Sequence, residues 1–370
     1  MLSIYIHTPF CKSKCPYCDF YSARPQEESA LEAYAQAVCA RLAVFGEKYG
    51  HRDVGTVYFG GGTPSVLGAE RLCRILQAVK AAFYVHDDAE ITAECNPADV
   101  DRAFFEKLKA GGFNRISMGM QSANADELQL LGRRHTAADV EKAMRAAREA
   151  GMDNVSVDLM LALPGSNCET LKKSIDFCAQ LQADHVSAYI LKIEPETPCA
   201  KMADTFVLPD DDGAADQYLF MVERLRELGY AQYEISNFTK PGKESRHNLQ
   251  YWRCGEYLGV GPAAHSFMAG KRFYFPRDVE GFMNGNDPVE DGEGGSFSEF
   301  AMLSLRLREG LQREACAARF PNGEGLYETV LQNAKRMPKP LVEANGDSIA
   351  LTAEGFLVSN TILAEILPEE

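Results

Sequence analysis

The chain has 370 residues, a formal charge of −15, 46% hydrophobic and 25% charged residues. That length fits two domains or one large barrel with an appendage, and the composition excludes disorder, collagen and coiled coil. Such an acidic chain repels phosphate backbones, so no nucleic-acid partner is expected. Its apolar runs are far shorter than a bilayer span. The start, MLSIYIHTPFCKSKC, has no secretory pattern. A cytoplasmic protein without a membrane anchor is the expectation. Eleven cysteines is an odd number and many for a compartment that keeps thiols reduced, which puts metal or redox chemistry first.

In chain order, β-type runs occur at Leu2 to Pro9, Thr56 to Gly62, Glu90 to Pro97, Arg115 to Ser122, Asn154 to Gly165 and His185 to Pro195. Helical patterns lie between them, at Ala30 to Tyr49, Ala69 to Phe83, Asp99 to Ala110 and Ala137 to Ala150. Strands alternating with helices imply a parallel sheet, and six units are too few for a closed eight-stranded barrel. The expected fold is α/β, an open six-stranded (β/α)6 partial TIM barrel, with its chemistry at the C-terminal strand ends. This barrel covers residues 1–239 and ends in a helix, Asp210 to Leu228, and a strand, Tyr230 to Thr239. Residues 240–295 form an aromatic and Gly-rich extension that ends in a linker, Gly285 to Gly295. Residues 296–370 form a small helical or winged-helix-like module with 7 basic and 11 acidic residues. That balance favours packing or interaction over DNA binding.

Cys11, Cys15 and Cys18 follow the first strand as C-x3-C-x2-C. Three thiolates within eight residues converge on something small, and such spacing holds iron–sulfur clusters. Three ligands leave one iron open for a further molecule, by the logic that separates catalytic from structural zinc sites. A zinc site with His7 as fourth ligand and a redox thiol pair are the alternatives. The other eight cysteines are scattered and read as small buried hydrophobes.

YIHTPFCKSKCPYCDF resembles the radical S-adenosylmethionine superfamily, down to the aromatic Tyr17 before the third cysteine. The resemblance implies a [4Fe–4S] cluster on Cys11, Cys15 and Cys18. It also implies S-adenosylmethionine bound through its amino and carboxylate groups at the open iron, and an electron donor for the cluster. Tyr58 to Pro64 carries a glycine run at the second strand end, similar to the superfamily motif that holds the methionine amino group. Glu94, Gln121, Arg133 and Asp158 occur in or after successive strands. A carboxylate can accept from ribose hydroxyls, and Arg can pair with a carboxylate. By similarity to the coproporphyrinogen dehydrogenase-like branch, Tyr5, Gly61, Gly62, Thr63, Glu94, Gln121, Arg133 and Asp158 contact S-adenosylmethionine. Lys192 joins them through its backbone.

Within that branch the dehydrogenase has a further cysteine two residues after the third, where this chain has Phe20, and a long N-terminal extension. The C-D-F continuation, the length and the C-terminal module, like the dehydrogenase's in kind, are instead similar to the HemW haem chaperones. HNLQYW, His247 to Trp252, is similar to a haem-associated motif of that family. His can ligate haem iron, and Tyr251 and Trp252 can pack on a porphyrin. Alternatively, His247 caps a turn and the aromatics fill space below the barrel. The resemblance implies a haem-binding protein that delivers haem to respiratory haemoproteins, with transient association with a membrane complex. The alternatives are oxygen-independent oxidative decarboxylation of coproporphyrinogen III and a radical enzyme with another substrate.

Overall fold

The structure, a computed structural model, describes residues 1–25, 27–202 and 206–368. Its parallel strands are largely buried but differ in their two faces: on the strand Arg115–Gln121, Ile116, Met118 and Met120 join the apolar core, while Arg115, Ser117 and Gln121 make the other face polar. β1 (Leu2–Thr8), β2 (Asp53–Gly61), β3 (Tyr84–Cys95), β4 (Arg115–Gln121), β5 (Val155–Leu161) and β6 (His185–Ile190) lie side by side in chain order. All five neighbouring pairs are parallel. The connecting helices turn one apolar stripe inward. Helix Ala69–Ala82 buries Leu72, Ile75, Leu76 and Val79, the i, i+3, i+4, i+7 face of an amphipathic helix. Capping boxes start two of these helices, Thr136 with Asp139 and Asn167 with Thr170.

The sheet continues past both edges of this set. Tyr230 to Thr239, expected as one strand, is a hairpin of β7 (Ala231–Glu234) and β8 (Asn237–Thr239), with β8 antiparallel to β6. The Glu234 carboxylate accepts from the Ser236 amide at 3.2 Å and steadies the turn. At the other edge, β9 (Tyr257–Val260) pairs parallel to β1. β10 (His265–Met268), β11 (Lys271–Tyr274) and β12 (Val289–Glu293) follow in antiparallel order. The result is one mixed twelve-stranded sheet.

β12 corrects the linker expected at Gly285 to Gly295. Its glycines and acids read as a connection, yet Val289 to Glu293 forms an exposed edge strand. Acidic side chains on an edge strand discourage pairing with other chains. The segment before it is tied down by Arg41, which donates to Asp287 Oδ1 and to the carbonyls of Gly285 and Asn286, each at 2.9 Å. The C-terminal residues form helices around a small sheet of β13 (Leu311–Gln312), β14 (Val342–Ala344) and β15 (Ser348–Leu351), in the order β13–β15–β14. The amide of Ile235 donates to Arg306 O, and that of Arg308 to Tyr233 O, so this part docks on the β7–β8 hairpin. Among the described residues no helix is long and apolar enough to cross a membrane.

Arg41→Ala removes three hydrogen bonds to one segment. We expect a loss of about 1–3 kcal/mol in thermal unfolding, with faster proteolysis near residues 285–293. Unchanged cleavage there would contradict the clamp.

Candidate functional site

Side chains on a strand alternate between faces, so the residues of one face recur every second position. On β4 that face carries Arg115, Ser117, Gly119 and Gln121, and all four line one cavity of about 350 Å³. Glu94 and Asn96 reach it from the end of β3, Asp158 and Met160 from β5, Ser187 and Tyr189 from β6. Gly61, Gly62 and Thr63 close it at the end of β2, and Cys11, Cys15 and Cys18 line the same cavity. The cavity therefore sits at the C-terminal ends of the parallel strands, the functional end of such sheets.

The cysteine loop is held from several directions. The Asp99 side chain, only 3% exposed, takes Lys12 at 2.8 Å and Arg134 at 2.6 Å. The amide of Cys199 donates to Pro16 O at 2.9 Å. Gly132, at φ +64°, lets the Arg133 loop approach so closely that a Cβ there would lie 2.9 Å from Pro16 Cδ. The Thr63 hydroxyl is 3.4 Å from Cys11 Sγ, and Arg133 Nη1 donates to Cys15 Sγ at 3.5 Å. Burial pushes the Cys18 thiol above its ordinary value, and a cationic metal is what would return it to thiolate. Among the described residues no three His, Cys, Asp or Glu side chains are grouped as a single metal ion needs. His7, the fourth ligand of the zinc alternative, is engaged elsewhere: its ring meets the Tyr5 hydroxyl at 3.1 Å and Tyr21 O at 2.9 Å.

The cavity holds charge of both signs. Arg133 Nη2 donates to Gly119 O at 2.7 Å, while its buried Nε has no partner among the described residues. Arg115, 2% exposed, also has an unpartnered Nε. Burial pushes the Glu94 carboxyl up to about 8, against the hydrogen bond that Tyr58 donates to it at 2.7 Å. Burial likewise lifts Asp158 to about 6, and Ser117 donates to it at 3.2 Å. Gln121 has φ 68°, a conformation sparsely used outside glycine and found where a site over-determines the backbone. Gly62 permits close contact: a Cβ there would stand 2.6 Å from Phe10 O.

Gly61, Gly62, Thr63, Glu94, Gln121, Arg133 and Asp158 are thus brought together with the three cysteines. Tyr5 and Lys192 are not brought to this cavity. Tyr5 stacks beside Tyr58, ring centroids 6.3 Å apart, and opens on a neighbouring cavity. The Lys192 side chain points to solvent and pairs with Glu194 at 2.7 Å. His247 is 1% exposed, and its ring is engaged at 2.7 Å by Thr56 Oγ1 and at 2.9 Å by Tyr251. Its two ring nitrogens are spent on the protein. Tyr251 lines the neighbouring cavity, and Trp252 lines neither. Tyr58, Arg115, Ser117, Ser187 and Tyr189 were not among the residues expected at the site. Their signal was the period-two spacing from residues that were, such as Arg115 and Ser117 before Gln121.

Comparison with known proteins fits this geometry. The radical SAM superfamily matches residues 5–178. A protein named "Heme chaperone HemW" from Mycobacterium tuberculosis is 35% identical over 377 residues, which cover 98% of this chain and 94% of that protein. The protein of the same name from Escherichia coli is 35% identical over 378 residues, covering 100% of this chain and 98% of its own. Among solved structures, the Escherichia coli coproporphyrinogen III oxidase HemN, a radical SAM enzyme, superposes with a TM-score of 0.84. It is 21% identical and covers 99% of this chain and 89% of its own, a likeness of fold.

Glu94 has a folded-state value near 8 against an ordinary 4.5, so the fold favours its protonated form. Stability present below 4.5 is lost as pH rises and is gone above about 8. Glu94→Gln cannot ionise. Its melting temperature relative to the parent should therefore climb between these limits and then level off. A difference independent of pH would contradict the buried carboxyl.

Proposed function

The chain belongs to the HemW family of the radical S-adenosylmethionine superfamily, and on that premise we propose that it is a haem chaperone that binds a [4Fe–4S] cluster and S-adenosylmethionine. The observation that carries this reading is identity of about a third, along the whole chain, with proteins named as haem chaperones. We read β1 to β6 as an open (β/α)6 partial barrel within residues 1–239. Residues 240–295 extend its sheet, and 296–370 form a helical module docked on its edge. Its place is the cytoplasm. Its partners are haem, recipient haemoproteins of respiration and an electron donor for the cluster.

In this reading Cys11, Cys15 and Cys18 hold the cluster. When bound, the cluster and S-adenosylmethionine together supply reductive cleavage of a sulfonium bond. Arg133 offers its unpartnered Nε–H and a charged fork to the methionine carboxylate. The backbone around Gly61 to Thr63 grips the amino end, and the close packing at Gly62 leaves room for no side chain between. Glu94 and Asp158 accept from ribose hydroxyls, and Gln121 is held ready by its strained backbone. Tyr5 supports Tyr58 from behind, and Lys192 stands outside the cavity, paired with Glu194. Tyr251 belongs to the haem side of the molecule, and Trp252 ends the same short helix. Both ring nitrogens of His247 serve the protein itself, which gives His247 a bracing role.

The enzyme alternative, decarboxylation of coproporphyrinogen III, draws support from the fold shared with HemN. At the position where the dehydrogenase carries a further cysteine, this chain has Phe20, 66% exposed at the rim of the cavity. A fourth thiol is replaced by an apolar surface.

The anaerobically reconstituted parent should bind haem and should not form protoporphyrinogen IX at a useful rate. The Cys11, Cys15 and Cys18 triple Ser variant should lose the cluster. Arg133→Ala should keep it and bind S-adenosylmethionine about ten- to a hundredfold more weakly in equilibrium dialysis. Multi-turnover porphyrinogen decarboxylation by the parent would overturn the chaperone reading.

A further inference from the structure

Beside the cysteine cavity lies a second one of about 680 Å³, within the size range of small-molecule sites. The two cavities share Phe20 on their rims. The walls of the second are aromatic: Tyr5 from β1, Tyr21 after the cysteine loop, Tyr251, Tyr257 from β9, Tyr274 and Phe275. Flat rings around a cavity of this size suit a flat conjugated ligand.

Among the described residues, its two histidines differ in availability. His7 spends both ring nitrogens, on Tyr5 and on Tyr21 O. His265 is exposed, and among the described residues no hydrogen bond or ion pair engages its ring. It lies directly opposite Tyr274 in the β10–β11 ladder, with the rings stacked at 5.2 Å and 22°. The stack orients the imidazole and leaves its nitrogens free. Arg277 on the same wall is 64% exposed, with Asp19 as a loose partner at 3.8 Å. A carboxylate at hydrogen-bond distance would pair with it better.

We propose that this second cavity seats an iron porphyrin, with His265 ligating the iron and Arg277 pairing with a propionate. The proposal rests on the haem-chaperone reading and moves the ligand away from His247. The HNLQYW motif then contributes a wall: the His247 ring bonds the Tyr251 hydroxyl, and Tyr251 faces the cavity. The porphyrin edge would meet Phe20 and, across it, the cluster cavity.

The test uses cluster-loaded parent, His265→Ala and Arg277→Glu, each titrated with ferric haem and read by difference absorption and magnetic circular dichroism. The parent should bind about one haem with a histidine-ligated spectrum. His265→Ala should lose that spectrum and bind at least about tenfold more weakly, and added imidazole should restore it. Arg277→Glu should weaken binding and leave the ligation spectrum unchanged. An unaltered spectrum in His265→Ala, or a loss that imidazole does not restore, would overturn His265 as ligand and leave the chaperone reading standing. Unchanged affinity in Arg277→Glu would overturn the propionate pairing. A parent that binds no haem would overturn both this site and the chaperone reading.

Discussion

Three thiols on one short loop are useful only if that loop is fixed over the open ends of the strands. The anchor is Asp99, nearly excluded from solvent and held between Lys12 of the loop and Arg134 of the segment after β4. A buried carboxylate with two cationic partners resists the loss of either, because the remaining charges would be left unbalanced. The ion pairs tie the cysteine loop and the Arg133 loop to the same turn after β3. The close approach of Gly132 to Pro16 has the same effect by shape alone. What the cavity does depends on this registration of two loops that are far apart in the chain.

Within the cavity the electrostatics favour a ligand with both an anionic end and neutral hydroxyls. Two arginines with unpartnered Nε groups face two carboxyls that burial holds up towards neutrality. An amino acid joined to a ribose matches that division, on the reading proposed for the family. The adjoining aromatic cavity has a different chemistry: one free imidazole, one exposed guanidinium and flat walls. Phe20 stands where the two meet. A chaperone needs such a juxtaposition more than it needs the exclusion of water that radical chemistry on a porphyrinogen would demand.

The parallel strands were legible because each is a short apolar run ended by a glycine, proline or polar residue. The cysteine loop, the glycine run and the polar strand ends were legible because chemistry concentrates at one end of such strands. β9 was missed: four residues in a glycine- and aromatic-rich stretch carry no period of their own and pair only because β1 offers an edge. β12 was read as a linker because an acidic, glycine-bearing edge strand has the composition of a loop. The role of His247 was hidden by distance. Its bond to Thr56 spans 191 residues, and no local pattern announces it. Arg115 was hidden by burial: it stands at the start of its strand, and the charges that act on it, Glu90 and Asp158, come from neighbouring strands.

In the proposed reading Cys11, Cys15 and Cys18 hold a cluster with one iron left open to the cavity of Arg133 and Glu94. Mössbauer spectroscopy of the iron-57-reconstituted protein tests it most directly, with and without S-adenosylmethionine. Adding S-adenosylmethionine should change the signal of a single iron and leave the thiolate-bound irons as they were. Arg133→Ala should need more of the ligand to produce the same change. Irons that all stay equivalent in the presence of saturating S-adenosylmethionine would contradict it.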